Sequence, residues 1–162
     1  MSVSFEEIHT EHLTLRIGHP STMDEIFALP SELEQMRLLG IKDRRQLRID
    51  QQKHKEGLST HNRKFVHFFI YEKGGNEVIG WCGDHTWYTD HHRAELGYSF
   101  FTDEAKGKGW MSEVVAEVIP YGFDVMHLHR IEAMAGVEST FVAHFGKVRI
   151  QKRRTFARTL PA

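Results

Sequence analysis

The sequence predicts an α/β domain built on a mixed, largely antiparallel sheet with helices on both faces. Three observations carry that expectation. Segments of period-two alternation recur along the chain, from His12–Ile17 to Leu128–Val137. Two of them, Phe65–Tyr71 and Val78–Trp87, are rich in aromatic and β-branched residues and flank Gly74-Gly75-Asn76, as an antiparallel hairpin would. Between Arg93 and Asp124 a strand, a glycine-rich turn and an amphipathic helix follow one another, and a further alternating strand comes after them. At 162 residues, the simplest organisation is one domain with a sizeable core.

The first strand is His12–Ile17, with Leu13, Leu15 and Ile17 on one face. His19-Pro20 ends it, and Ser21 can cap a helix whose apolar side holds Ile26, Phe27 and Leu29. Pro30 breaks that helix. Ser31 with Glu34 offers a second capping box, and Gly40 a stop. Lys42–Glu56 reads as a charged, solvated helix ending near Gly57. These helices form a flap between the first strand and the hairpin. Gly80 and Gly83 mark a bulge or a close neighbour in the hairpin's second strand. Strand 93–102 follows antiparallel. Met111, Val114, Val115, Val118, Ile119 and Phe123 then form one face of helix 108–124, where Pro120 should kink the helix or shorten its regular part. Strand 128–137 should lie parallel to strand 93–102.

Composition is that of an ordinary globular domain, 40% hydrophobic and 27% charged, with a formal net charge of −1. That balance argues against general affinity for nucleic acid or an anionic membrane surface. No apolar run approaches membrane-spanning length, and the start has no signal-peptide core. The one cysteine, Cys82, excludes an intramolecular disulfide framework, so a cytoplasmic location is expected. His85, His91 and His92 stand close to Asp84 and Asp90, but their spacing matches no familiar zinc pattern, and no metal site is expected.

Glu104-Ala105-Lys106-Gly107-Lys108-Gly109-Trp110 opens the amphipathic helix. Gly107 and Gly109 let backbone amides approach a ligand closely. Free N–H groups at the helix start favour a phosphate group, and Lys106 and Lys108 add positive charge. The spacing is neither a Walker A loop nor a dinucleotide fingerprint, and a tight turn with no ligand has the same pattern.

Four stretches taken in order say more. Ile79-Gly80-Trp81-Cys82-Gly83, His92-Arg93-Ala94-Glu95-Leu96-Gly97-Tyr98, Gly107-Lys108-Gly109-Trp110-Met111-Ser112-Glu113 and Leu128-His129-Arg130-Ile131-Glu132-Ala133 closely resemble the GNAT acetyltransferases. With Glu11-His12-Leu13-Thr14-Leu15-Arg16 they look most like the branch containing ribosomal-protein N-terminal acetyltransferases, over about residues 9–140. One departure is Glu104, which stands at the first position of the family's Q/R-x-x-G-x-G/A signature and would be unfavourable beside a diphosphate unless it points away.

The resemblance implies acetyl-CoA as co-substrate and a primary amine, such as a protein N-terminus, as acceptor. It implies that the pantetheine arm runs beside the strand carrying Tyr98, Phe100, Phe101 and Thr102. The diphosphate would then rest on Lys106, Gly107, Lys108, Gly109, Trp110 and Met111. Glu95 is the candidate base or ammonium contact; an ordinary strand carboxylate paired to a neighbour such as Arg93 fits the sequence equally well.

After Thr140 the family pattern stops, and residues 141–162 form a basic tail of poor periodicity. Read one base out of frame from the Val142 codon, that stretch can encode S-R-T-L-E-K-F-G-F-K-K-E-G-L-L-R-E-L-Y-Q, which resembles the family's missing segment. A one-base slip near codon 140 is the expectation. A divergent tail, acting as a basic arm for RNA, is the alternative. If the last strands are lost, strand 128–137 should expose an edge, and the chain could be a degenerate relative with weak or no catalysis that acts at most as a binding module.

Overall fold

The computed structural model describes residues 2–57, 65–136 and 155–160, with side chains except at 85–86, 134–136 and 155–160. The strands are β1 (Glu6–His9), β2 (Leu13–Gly18), β3 (Val66–Glu72), β4 (Val78–Tyr88), β5 (Arg93–Phe100), β6 (Arg130–Gly136) and β7 (Thr155–Leu160). They form one sheet in sequence order, antiparallel from β1 to β5 and parallel from β5 to β7. The helices are α1 (Pro20–Ala28), α2 (Glu32–Leu39), α3 (Arg44–Glu56) and α4 (Trp110–Asp124).

Period two sends alternate residues of each strand to opposite faces. One face, with Leu13, Leu15, Phe68, Ile70, Cys82 and Leu96, packs on Val114, Val115, Val118 and Ile119 of α4. Each such fully buried aliphatic side chain stabilises the domain by roughly 1.5–3 kcal/mol before chain entropy is counted. The other face, with Phe69 and Tyr71, packs on α1–α3 through Ile26, Leu38, Leu39 and Leu47. Helices therefore cover both faces, and α1–α3 form the expected flap.

Several expectations change in detail. β1 was not foreseen, because Glu6–His9 carries one partly buried residue and no clear alternation. α1 begins at Pro20 rather than after Ser21. Proline's fixed φ suits the first helical position, where its missing N–H costs nothing, and the His19 N–H bonds to the Thr22 hydroxyl at 3.2 Å. Ser31 does cap α2, accepting from the Glu34 N–H, and Gly40 ends α2 in the left-handed region at φ 68°. α4 runs unbroken through Pro120, so the expected shortening is corrected. Gly80 and Gly83 mark close neighbours, since an added Cβ would meet the Ser99 and Val66 carbonyl oxygens at 2.5 and 2.3 Å. The ladders are irregular in two places: between β3 and β4, where Ile70 pairs with Gly80 but Tyr71 with Val78, and between β4 and β5, between Asp84 and Thr86.

The β6 edge needs a larger correction. Thr155–Leu160 pairs in parallel with Ile131–Gly136, so the tail covers the edge that its aberrant sequence was expected to leave open. The ladder is backbone to backbone, and the side chains of the tail need not match the family pattern for it to form. Residues 137–154, where the reading frame is in question, lie outside the described residues.

Candidate functional site

β5 and β6 pair only from Arg93–Arg130 to Leu96–Ala133, yet β5 continues to Phe100 and β6 to Gly136. Beyond Leu96, β5 keeps its ladder with β4 as far as Phe100, and β6 keeps its own with β7. The two strands part, and among the described residues the β5–β6 ladder does not extend to Gly97–Phe100. Tyr98 and Phe100 pack half-buried against the α4-side core. Thr102 lies outside β5, where the strand was expected to extend. So does Phe101, whose ring contacts Gly40 on the flap side: a Cβ there would meet Phe101 Cε2 at 2.7 Å.

The chain then makes one turn of 3-10 helix, Asp103–Ala105, before Lys106–Gly109 leads into α4. Gly107 and Gly109 have φ 75° and 77°, and a Cβ at either would meet nothing within 4 Å. Among the described residues, then, glycine is needed for the left-handed backbone alone and the space above the turn is open. The first N–H groups of α4, from Trp110 onward, have no acceptor within the helix. Open space among the described residues, left-handed glycines and helix-start amides without an intrahelical acceptor together fit a diphosphate. The lysines are less free than their charge suggested. Lys106 Nζ pairs with Asp103 at 2.8 Å, and Lys108 Nζ sits 4.3 Å from the Trp110 ring centroid. Glu104 is exposed within the 3-10 turn.

A clasp that sequence reading missed fixes the start of α4. Glu113, in its first turn, accepts from the Thr10 hydroxyl, from the His12 backbone N–H at 2.8 Å and from His12 Nδ1 at 2.9 Å. Burial alone would raise the Glu113 pKa, but these bonds outweigh it and hold the carboxyl below its ordinary value. The same bond raises the pKa of His12, whose ring stacks on Trp110. The only trace of this in the sequence is an acidic residue in a helix's first turn.

Glu95 stands half-buried on the flap face, in register with Thr86 of β4 and Glu132 of β6. Its position is two residues before Gly97, where β6 has left. Arg93, offered as its partner, instead lies 4.4 Å over the Tyr88 ring and 3.9 Å from Glu132. Glu132 also pairs with Arg130. Asp84 is fully buried against the C-terminal third of α4, with neither carboxylate oxygen hydrogen-bonded among the described residues, and burial raises its pKa to about 7. Burial also pushes the Cys82 thiol well above its ordinary value, which argues against a thiolate nucleophile. The histidine–aspartate cluster is dispersed: Asp84 is buried, whereas Asp90, His91 and His92 are exposed.

A cavity of about 770 Å³ lies between the flap and the sheet. Phe65, Phe69 and Trp81 form its floor, Phe27 and Phe101 its sides, and α3 its remaining wall. Glu95 is not among its lining residues.

The acetyltransferase (GNAT) domain profile matches residues 12–138. The chain belongs to the GNAT family. It is 33% identical over 138 residues to the uncharacterized N-acetyltransferase p20 of Bacillus licheniformis, covering 83% of this chain and 76% of that one. It is also 28% identical over 131 residues to the uncharacterized N-acetyltransferase YoaA of Bacillus subtilis. Among solved structures, a spermidine N-acetyltransferase from Vibrio cholerae superposes with TM-score 0.56 at 19% identity, covering 84% of this chain and 77% of that one. An Agrobacterium tumefaciens acetyltransferase gives 0.54 at 20%, covering 91% and 84%. At those identities the structures speak to the fold alone. GNAT acetyltransferases use acetyl-CoA as co-substrate, and no described helix here is long and apolar enough to cross a membrane.

Proposed function

We propose that this GNAT chain transfers an acetyl group from acetyl-CoA to a primary amine, a protein N-terminus or a small amine, by direct attack in a ternary complex. One observation carries the reading: the ladder between β5 and β6 stops at Leu96–Ala133, and the open glycine turn at the head of α4 follows β5. Acetyl-CoA supplies the acyl thioester when bound. Backbone groups of Gly97–Phe100 hold the arm along β5, and amides from Lys106 to Met111 hold the diphosphate. A β5 amide serves as donor to the tetrahedral oxyanion. Glu95 removes the ammonium proton, directly or through water.

Thiol release from acetyl-CoA, measured with and without an amine panel, tests the transfer; release that no amine accelerates overturns it. Glu95→Gln should lower kcat about 100-fold with little change in KM for acetyl-CoA. Unchanged kcat would remove Glu95 from the role while leaving the transfer standing.

We also propose that the tail after Thr140 is written out of frame. The family match ends at residue 138, which supports this. Sequencing the gene across codon 140 decides it, because third bases that forbid L-E-K-F-G-F exclude the slip. A frame-restored chain should show a larger CoA-induced rise in Tm and faster turnover; equal values in both chains count against the proposal.

A further inference from the structure

We infer that the cavity between the flap and the sheet selects an acceptor with a flat aromatic body, a small arylalkyl primary amine, over a polyamine or a peptide. The inference rests on the acetyl-transfer reading and narrows its amine. Its first support is the aromatic lining. Phe65 and Phe69 are buried, Trp81 is half-buried, and Phe27 faces them from α1. The His67 ring, 5.3 Å from Trp81 and 5.0 Å from Phe65, continues that surface. Aromatic faces arranged this way reward a planar ligand that stacks among them.

Charge is the second support. Asp43, Gln46, Asp50 and Lys53 recur at the helical period and place one polar stripe of α3 on the cavity. Among the described lining residues, the two carboxylates of Asp43 and Asp50 are matched by the two ammonium groups of Lys42 and Lys53, so that lining has no surplus negative charge. Both carboxylates are also partly engaged. Asp43 accepts from the Arg45 N–H at 2.9 Å, and Asp50 from the Gln46 side-chain amide at 2.8 Å. A polyamine would bring its further cations into this balanced, aromatic space without matching acceptors, and desolvating them is unfavourable. An aromatic body needs no such acceptors.

Position is the third support. Trp81 pairs in register with Ser99 of β5, so the aromatic floor reaches the strand whose far edge β6 has left. An amine carried on an aromatic body in the cavity would thus lie beside β5. The volume also suits one small organic molecule.

Isothermal titration of the full chain with tryptamine, spermidine and a Ser-Ala-Ala tripeptide tests the inference. Tryptamine should saturate with a Kd at least tenfold below the other two. Trp81→Leu should weaken tryptamine about tenfold and spermidine less, and Phe27→Leu, on a different element, should act in the same direction if the first variant does not fold. Spermidine or the tripeptide binding as tightly as tryptamine overturns the inference, as does unchanged tryptamine affinity in the folded variants. Thiol release separates this from the broader reading. Tryptamine that binds while no amine in the panel accelerates thiol release defeats acetyl transfer and leaves the cavity's preference for an aromatic body standing. Spermidine or peptide acetylation without tryptamine binding does the reverse.

Discussion

The two ends of α4 are built on opposite terms. At its N-terminus the turn is open, glycines hold left-handed backbone, and the carboxylate of the first helical turn, Glu113, collects three donors. Toward its C-terminus Gly122 brings the helix close to the sheet, and an added Cβ there would meet Ile131 Cδ1 at 2.8 Å. The carboxylate beneath it, Asp84, has neither oxygen hydrogen-bonded among the described residues. One helix thus begins in an open turn whose first N–H groups have no intrahelical acceptor and packs tightly at the end that faces the core. The contrast teaches that one helix can hold a carboxylate fully hydrogen-bonded at one end and bury another, among the described residues without a hydrogen bond, at the other.

The most severe way to break the contrast is to give the open end side chains. Gly107→Val with Gly109→Val places two β-branched residues at φ 75° and 77°. Each such position costs about 1–3 kcal/mol, and the turn relaxes rather than bear it. Affinity for CoA should fall 100-fold or more, read as a lost CoA-induced thermal shift, while the far-UV circular dichroism of the fold persists. Retained CoA affinity would show that the turn's backbone is not what holds the cofactor.

The open end was legible in the sequence and the cavity was not, for a physical reason. A left-handed turn at a helix start is a local property, written in consecutive residues from Lys106 to Trp110. Likewise, the order of β3 to β6 followed from alternation and connection length. The cavity is assembled from Phe27, Trp81, Phe101 and the polar stripe of α3, residues far apart in the chain, and nothing in any one segment announces it. Phe101 shows this best: its place next to β5 suggested a cofactor contact, and its ring turns to Gly40 at the end of α2. Asp84 was legible as a residue beside histidines but not as a buried carboxyl, because burial depends on Gly122 lying above it. β1 was missed because pairing with β2, not its own pattern, makes it a strand.

The closed end is probed by removing its charge. The folded-state pKa of Asp84 is raised to about 7, above an unfolded value near 3.9. The sign follows from linkage: the native state binds the proton more tightly, so this group's contribution is intact below about pH 4 and is lost as pH rises to about 7. The full loss is on the order of 4 kcal/mol. Asp84→Asn should therefore match the wild type near pH 4 and exceed it in urea-unfolding stability by a growing margin up to pH 7, then by a constant one. A wild type and variant whose stabilities run parallel from pH 4 to 8 would mean that Asp84 finds a partner for its charge.

The mildest test returns to the open end and asks whether Glu113 is there for its charge or its shape. Glu113→Gln keeps the side chain's length and one acceptor oxygen but gives up the anion. The bonds from Thr10 and His12 become neutral–acceptor bonds, and stability should fall by about 1 kcal/mol. The His12 pKa, held up chiefly by its hydrogen bond to Glu113, should fall toward its ordinary value in an NMR titration. CoA affinity should drop only a few-fold, because the clasp steadies the turn without touching the ligand. A His12 titration unmoved by the substitution would mean that the Thr10–His12–Glu113 clasp does not form in solution. The order at the N-terminal end of α4 would then come from the glycine backbone alone.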